Sequence, residues 1–236
     1  MWRGLSLAIC AAAFASAAFA QSWHVTLTDS RDQPLACPGV QNMHECATIW
    51  EAKVSRERAG LVARLGGRLR VTLLDGEQRP LWGQCAICFV LVGLPADERF
   101  AIIREQYGEG NTWHVLDRKN GRLTLVDGYP LFSPNGKAFV AIQTDLDAQY
   151  SSTLMDVYDA SGATPRRVFK TLTDEESWFP EWGPVSVYWC DNSTIAFQRA
   201  IGEAYVKSDT LEALVLRNGR WRMETSAPDR CRSKSP

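Results

Sequence analysis

Two cysteines three positions apart, Cys85 and Cys88, have the spacing that most directly suggests chemistry in this sequence. A CxxC pair cycles between dithiol and disulfide when one thiol is acidified, normally by a helix N-terminus in a strand-helix-strand unit. Here the pair runs into the apolar segment 89–92, which predicts a strand. This context favours a static disulfide or two buried thiols, with a thiol-disulfide oxidoreductase as an alternative function.

An aromatic cluster in residues 178–189 is the second candidate for a functional site. Aromatic rings beside carboxylates can form a platform for sugar rings or a hot spot for a protein partner, because each ring offers a large area at little entropic cost. Such rings also fill gaps between packed sheets. Trp178 and Trp182 lie in the least strand-like part of the cluster and are the predicted surface binding residues.

An acidic loop supplies the remaining candidate binding residues, Asp145 and Asp147. Alternating carboxylates can ligate calcium, but the loop lacks the glycine and terminal glutamate of an EF-hand. Acidic loops are also commonly solvated turns. The prediction is therefore a loop that can contact a ligand, with no metal site.

The sequence offers little for catalysis. His44 and Glu45 begin like a zincin helix, but Thr48 stands where the second histidine is required. His24 and His114 each follow a tryptophan in a predicted strand, which suggests packing and surface roles. The nucleophile-elbow, phosphate-loop and dinucleotide-binding motifs are not found in the sequence. We therefore predict no catalytic residue and no cofactor.

Short apolar runs separated by turn residues occupy most of the chain. Asn120-Gly121 between two such runs is the clearest hairpin signal, and Asn218-Gly219 follows the same pattern. Strands are predicted at 23–28, 69–74, 87–94, 99–107, 112–116, 123–126, 138–144, 154–158, 168–172, 185–188, 194–198, 211–216 and 220–224. The connections all read as antiparallel.

One amphipathic helix interrupts this pattern near the start. Asn42 can cap a helix with Glu45 three residues on, and Gly60 can end it. Its apolar positions, which recur every three or four residues, are Met43, Ala47, Trp50 and Val54. The predicted helix spans about residues 43–59.

The first twenty residues read as a secretory signal peptide. Arg3 precedes an apolar run, and Ala18-Phe19-Ala20 fits signal peptidase cleavage after Ala20. No later stretch approaches the roughly 18–20 apolar residues that span a bilayer. The expected location is periplasmic or secreted, without membrane insertion after cleavage.

The cysteine count agrees with export. Of seven cysteines, Cys10 is removed with the signal and six remain. An even number in an exported chain favours disulfides, and neighbours in the chain pair most easily. The expected pairs are Cys37 with Cys46, Cys85 with Cys88, and Cys190 with Cys231.

The charge balance limits the partners. Removing Arg3 leaves 25 of 26 basic side chains against 27 acidic ones, a net charge of −2. Mixed charges near neutrality give no reason to expect nucleic acid as a partner. A protein or carbohydrate ligand is expected instead.

An internal repeat adds to the strand pattern. Pro95 and Phe100 are spaced as Pro134 and Phe139 are, 39 residues further on, and residues 189–197 form a looser third copy. Repeats of about 40 residues are typical of propeller blades.

The clearest repeat, residues 131–142, resembles the WD40-like β-propeller repeat of exported TolB-type proteins. In that repeat an aromatic residue, Ser, Pro, Asp, Gly and Lys lead into an apolar strand; here they are Phe132-Ser133-Pro134-Asn135-Gly136-Lys137. Asn135 replaces the usual aspartate. The resemblance implies blades and not a particular reaction.

These observations predict an all-β, antiparallel, propeller-like fold of four or five irregular blades. The single domain at 21–236 would comprise an N-terminal strand and helix at 21–65, blades at 66–225 and a polar tail at 226–236. The predicted function is a non-catalytic binding or scaffold module that uses loop and aromatic surfaces. The alternatives are the oxidoreductase that uses Cys85 and Cys88, and a carbohydrate-binding protein.

Overall fold

In a computed structural model, the described part of the chain forms four antiparallel sheets. The structure describes residues 43–82, 88–95, 98–107, 110–146, 151–178, 180–202 and 205–232. The predicted strand at 23–28, which contains His24, lies outside these residues, as do Cys37, Cys85 and Asp147.

Helix α1 (Met43–Glu57) precedes the sheets and agrees with the predicted helix. Gly60 follows with a φ of 82°, as expected of a residue that ends a helix. Sheet 1 then contains β1 (Val62–Leu65), β2 (Arg68–Thr72) and β3 (Gln78–Pro80). Because β1 pairs with β2, the first sheet begins at Val62 and includes part of the predicted N-terminal segment.

Sheet 2 is a four-stranded meander with strand order β4-β5-β6-β7. Its strands are β4 (Phe89–Gly93), β5 (Phe100–Tyr107), β6 (Gly110–Asp117) and β7 (Arg122–Val126). The predicted hairpin at Asn120-Gly121 joins β6 to β7, with Gly121 at a φ of 70°. Asn-Gly supplies the positive φ that this tight turn requires.

Sheet 3 repeats this meander, in the order β8-β9-β10-β11. Its strands are β8 (Tyr129–Phe132), β9 (Ala138–Gln143), β10 (Leu154–Asp159) and β11 (Arg166–Phe169). The motif that resembles a propeller repeat forms the β8–β9 turn. There the Asn135 Oδ1 accepts the Lys137 N–H at 3.0 Å, and Gly136 has a φ of 68°.

Sheet 4 closes the described chain and has five strands. These are β12 (Trp182–Asp191), β13 (Thr194–Ile201), β14 (Val206–Lys207), β15 (Glu212–Arg217) and β16 (Arg220–Glu224). Two short helices flank the sheet, α2 (Asp174–Trp178) and α3 (Asp229–Arg232).

Buried apolar side chains link the sheets in chain order. One cluster joins α1 and sheet 1 to sheet 2, a second joins sheet 2 to sheet 3, and a third joins sheet 3 to sheet 4. The three sequence repeats fall on the second strands of sheets 2, 3 and 4, which are β5, β9 and β13. Successive meanders stacked in this way are blade-like, so the protein has the predicted all-β, propeller-like fold.

Arginines tie neighbouring sheets together at one end of the stack, which we call the turn end. It contains the β2–β3, β6–β7, β8–β9, β10–β11 and β12–β13 turns. Arg99 pairs with Asp117 of sheet 2 at 2.7 Å and donates to the carbonyls of Ala160 and Gly162 beyond sheet 3. Arg118 donates to the carbonyl of Thr72 in sheet 1. The β9–β10 and β11–β12 connections lie at the opposite end, which we call the pocket end.

The C-terminal segment is held against the turn end. Cys190 of β12 and Cys231 of α3 form the predicted disulfide, and both are buried. Arg230 adds an ion pair to Asp191 at 2.8 Å. The segment predicted as a polar tail therefore contributes a buried cysteine to the core around sheet 4.

Candidate functional site

The candidate site begins with α2, which lies at the pocket end before β12. The Thr173 Oγ1 accepts the N–H of Glu176 at 3.2 Å, and the Glu176 carboxylate accepts the N–H of Thr173 at 2.7 Å. This reciprocal pair is a capping box, which starts the helix. The hydrogen bonds from the Thr173 backbone and side chain lower the pKa of Glu176.

Helix α2 is held by the connection between β9 and β10. The N–H of Thr153 donates to the carbonyl of Ser177 at 2.7 Å, and both residues are buried. The Thr144 Oγ1 donates to the carbonyl of Pro184 at 2.6 Å. A Cβ on Gly183 would meet the Thr144 side chain at 2.3 Å, so only glycine permits this close approach. The start of β12 is therefore seated against sheet 3.

Trp182, the first residue of β12, is consequently held in one place. The Arg199 guanidinium lies 4.2 Å from the centre of the Trp182 ring, and the Phe197 ring stacks at 5.9 Å. Arg199 also donates from its Nη2 to Glu212 at 2.8 Å. The positive charge of Arg199 is thus paired within sheet 4.

An open pocket of about 460 Å³ lies between α2 and the start of β12. Its lining residues are Leu172, Glu175, Glu176, Pro180, Glu181 and Trp182. Among the described residues, no basic side chain pairs with Glu175 or Glu181. The pocket therefore combines an aromatic and apolar wall with uncompensated negative charge.

The structure brings some of the predicted binding residues to this end of the molecule. Trp182 lines the pocket, and Trp178 is the last residue of α2, although its side chain is outside the described part. Asp145 lies in the loop beside α2, where its carboxylate accepts hydrogen bonds from the backbone and hydroxyl of Ser151. The Asp145 carboxylate therefore stabilises the conformation of the loop that contains it.

The sequence reasoning missed the three exposed glutamates of the pocket, Glu175, Glu176 and Glu181. A signal for α2 was nevertheless present, since Thr173 and Glu176 have the spacing of a capping box. It was overlooked because a five-residue helix shows no hydrophobic periodicity. Glu181 lies outside any helix or strand, so only its neighbours in space reveal its place.

Three further residues whose side chains could do chemistry are Cys88, His114 and Cys46. Cys88 is buried and disulfide-bonded, and its partner is not among the described side chains. His114 lies in β6, as predicted, and is buried; its Nε2 lies 2.9 Å from a Glu105 carboxylate oxygen. Cys46 lies in α1, but its side chain is outside the described part.

Two further searches were confined to the described residues. Within them, no group of three or more histidine, cysteine, aspartate or glutamate side chains has an arrangement suited to a metal ion. The helices among them are all too short or too polar to cross a membrane.

The comparisons with known proteins yield neighbours of low similarity. No protein-family model matches the chain, and no curated protein matches it. Among solved structures, TolB from Acinetobacter baumannii is 12% identical with a TM-score of 0.32, and the match covers 79% of this chain and 48% of that one. The chain thus spans about half the length of that protein.

A second solved structure, described as TolB from Agrobacterium tumefaciens, is 13% identical with a TM-score of 0.23. That match covers 69% of this chain and 75% of the other. Both TM-scores are low, so the four sheets described above, and not these likenesses, define the fold.

Proposed function

We propose that the protein is an exported, non-catalytic binding module that holds its ligand in the pocket between α2 and β12. The observation that carries this proposal is the pocket itself, because its aromatic wall and unpaired carboxylates are held in place by contacts with sheet 3. Preformed concave sites with a few polar groups are typical of ligand binding.

Export is supported by two independent features. The N-terminal sequence has the pattern of a secretory signal peptide, with cleavage after Ala20. The bridge between Cys190 and Cys231 is a bond that persists in oxidising compartments such as the periplasm or the extracellular space.

The pocket favours a protein ligand over a sugar. A sugar ring binds by lying flat on an exposed aromatic face, and the Arg199 guanidinium already lies over the ring of Trp182. The carbohydrate alternative therefore requires the other face of Trp182 or the ring of Trp178.

The proposal is tested by fluorine NMR of the mature protein labelled with 5-fluorotryptophan. The chain has nine tryptophans, of which Trp2 is lost with the signal, so eight resonances are expected. Trp182→Phe assigns the pocket signal, and Trp113, which is buried between sheets 2 and 3, is the internal control.

Three probes would be titrated: a lysine-containing peptide, its glutamate counterpart and a trimer of N-acetylglucosamine. We expect at least one to shift the Trp182 signal and to leave the Trp113 signal unchanged. The proposal fails if none shifts the Trp182 signal at millimolar concentration, or if both signals move together.

A further inference from the structure

An exposed apolar row crosses the pocket end of sheet 4. Trp182 of β12 is paired with Ile201 of β13, which is in turn paired with Val206 of β14. Directly paired residues project from the same face of a sheet, about 5 Å apart. Ile201 is 54% exposed and Val206 is 64% exposed. The row therefore extends the apolar wall of the pocket across three strands.

Val206 of this row is unusual for its position. It lies in β14, an outer strand of sheet 4, and outer strands commonly carry charged side chains, which discourage unwanted contacts. Ile201 is exposed beside it in β13, and the pocket carboxylates lie at the Trp182 end of the row. A contiguous apolar patch with a polar rim is characteristic of an interaction surface.

The charge around the patch specifies the partner further. Glu175 and Glu181 are exposed and have no basic partner among the residues that the structure describes. Of the nearby cations, Arg199 pairs with Glu212. Lys207 follows Val206 in β14, so its side chain projects from the opposite face of the strand, where its Nζ lies 3.4 Å from the Ser186 hydroxyl. The surface is complementary to positive charge.

We infer that the pocket and the row Trp182-Ile201-Val206 together form a docking surface for a basic, partly apolar segment of a partner protein. This inference rests on the proposed function. A lysine or arginine of the segment enters the pocket, where the carboxylates of Glu175 and Glu181 suit a cation. An aliphatic side chain two residues along an extended segment points the same way and covers Ile201 and Val206.

The probe for this inference is a peptide that repeats the unit lysine, serine, leucine, serine three times. In an extended chain this order places lysine and leucine on the same face. One comparison peptide has glutamate in place of lysine, and a second has serine in place of leucine. Dissociation constants come from the Trp182 fluorine signal.

Variants of the protein test the two parts of the surface. Glu175→Gln combined with Glu181→Gln should weaken binding of the lysine-leucine peptide about tenfold at low salt, as expected for two solvent-exposed ion pairs. Added salt should weaken binding to the parent protein but have little effect on this variant. Glu77→Gln, at an exposed glutamate of the turn end, is the matched control and should change the affinity less than about twofold.

Ile201→Thr combined with Val206→Thr should also weaken binding about tenfold, because the apolar contact is lost while strand propensity is kept. Leu125→Thr, at an exposed apolar residue of β7, is its control. Thermal unfolding of each variant shows whether its fold is retained.

The outcomes separate this inference from the proposed function. If the glutamate peptide or the sugar shifts the Trp182 signal and the lysine peptides do not, the pocket still binds a ligand but the inferred partner chemistry is refuted. If the peptide without leucine binds as tightly as the one with it, the apolar row is not part of the surface. If no probe shifts the signal, the proposed function itself fails.

Discussion

Replacing Glu51 with glutamine perturbs the contact that holds α1 to the sheets. Glu51 is buried, and its two carboxylate oxygens accept the Arg64 Nε at 2.6 Å and the Arg64 Nη2 at 2.9 Å. The same carboxylate accepts the N–H of Leu91 at 3.3 Å. Since β4 is the first strand of sheet 2, Glu51 covers a backbone group on an open sheet edge.

The loss of folding free energy depends on the contacts that Arg64 keeps after Glu51 is replaced. Removing one partner of a buried ion pair typically costs about 3–5 kcal/mol, because the other charge is left uncompensated. Arg64 would keep hydrogen bonds to the carbonyls of Phe89 and Gly67, and its side chain is 27% exposed. We therefore expect Glu51→Gln to lower the free energy of unfolding by about 2–3 kcal/mol.

Urea unfolding followed by tryptophan fluorescence measures this loss, with the disulfides kept intact. Glu45→Gln is the matched control, because Glu45 is exposed on the same helix, and it should change the free energy by less than about 0.5 kcal/mol. A double replacement, Glu51→Met with Arg64→Met, should cost less than the sum of the two single replacements, since it removes both charges together.

The reasoning is refuted if Glu51→Gln unfolds at the same urea concentration as the parent protein. It is also refuted if the two methionine replacements are strictly additive, because additivity would mean that the two charges do not interact.

Three further predictions concern the sheets and the C-terminal segment. Burial alone would raise the pKa of Asp191, but hydrogen bonds from Ser193 and Arg230 outweigh it and hold the pKa at about 2. The ionised Asp191 carboxylate therefore stabilises the fold above about pH 4, and this contribution is lost between about pH 4 and pH 2. Because the side chain is 35% exposed, Asp191→Asn should lower the free energy of unfolding by only about 1 kcal/mol at pH 7 and by almost nothing at pH 2. Urea titrations at the two pH values measure this difference. Gly128→Ala should cost about 1–3 kcal/mol in the same assay, because the added Cβ would meet the backbone oxygen of Ile142 at 2.6 Å; an unchanged midpoint would contradict this. Replacing Cys190 and Cys231 with serine should cost about 3–4 kcal/mol, as expected for opening a loop with a sequence separation of 41, and chemical reduction of the parent protein should lower its melting temperature in the same direction.

Local sequence patterns were sufficient for much of the fold. Asn120-Gly121 marked the β6–β7 hairpin, and the strand that follows Gly136 was read from its run of apolar residues. The capping signal before Met43 located α1. These features depend on residues within a few positions of each other, and for that reason they can be read without knowledge of the rest of the chain.

The sequence pattern did not predict strands β1 and β8, and the reasons are physical. β1 (Val62–Leu65) has only four residues, two of them exposed, so it shows no clear alternation. β8 (Tyr129–Phe132) contains a proline and has only four residues. Both strands are stabilised by pairing with a neighbour, which a single segment does not reveal.

The sequence by itself determined the all-β class and the repeated strand-turn pattern. It also led to the expectation of a disulfide between Cys190 and Cys231, which the structure confirms. The sequence also singled out Trp182, because that residue lies in the least strand-like part of a local aromatic cluster. Only the tertiary structure placed Trp182 opposite Ile201 and beside Glu175. The physical reason is that a binding surface is made where separate sheets and loops meet, and those contacts depend on strand register and stacking over the whole chain.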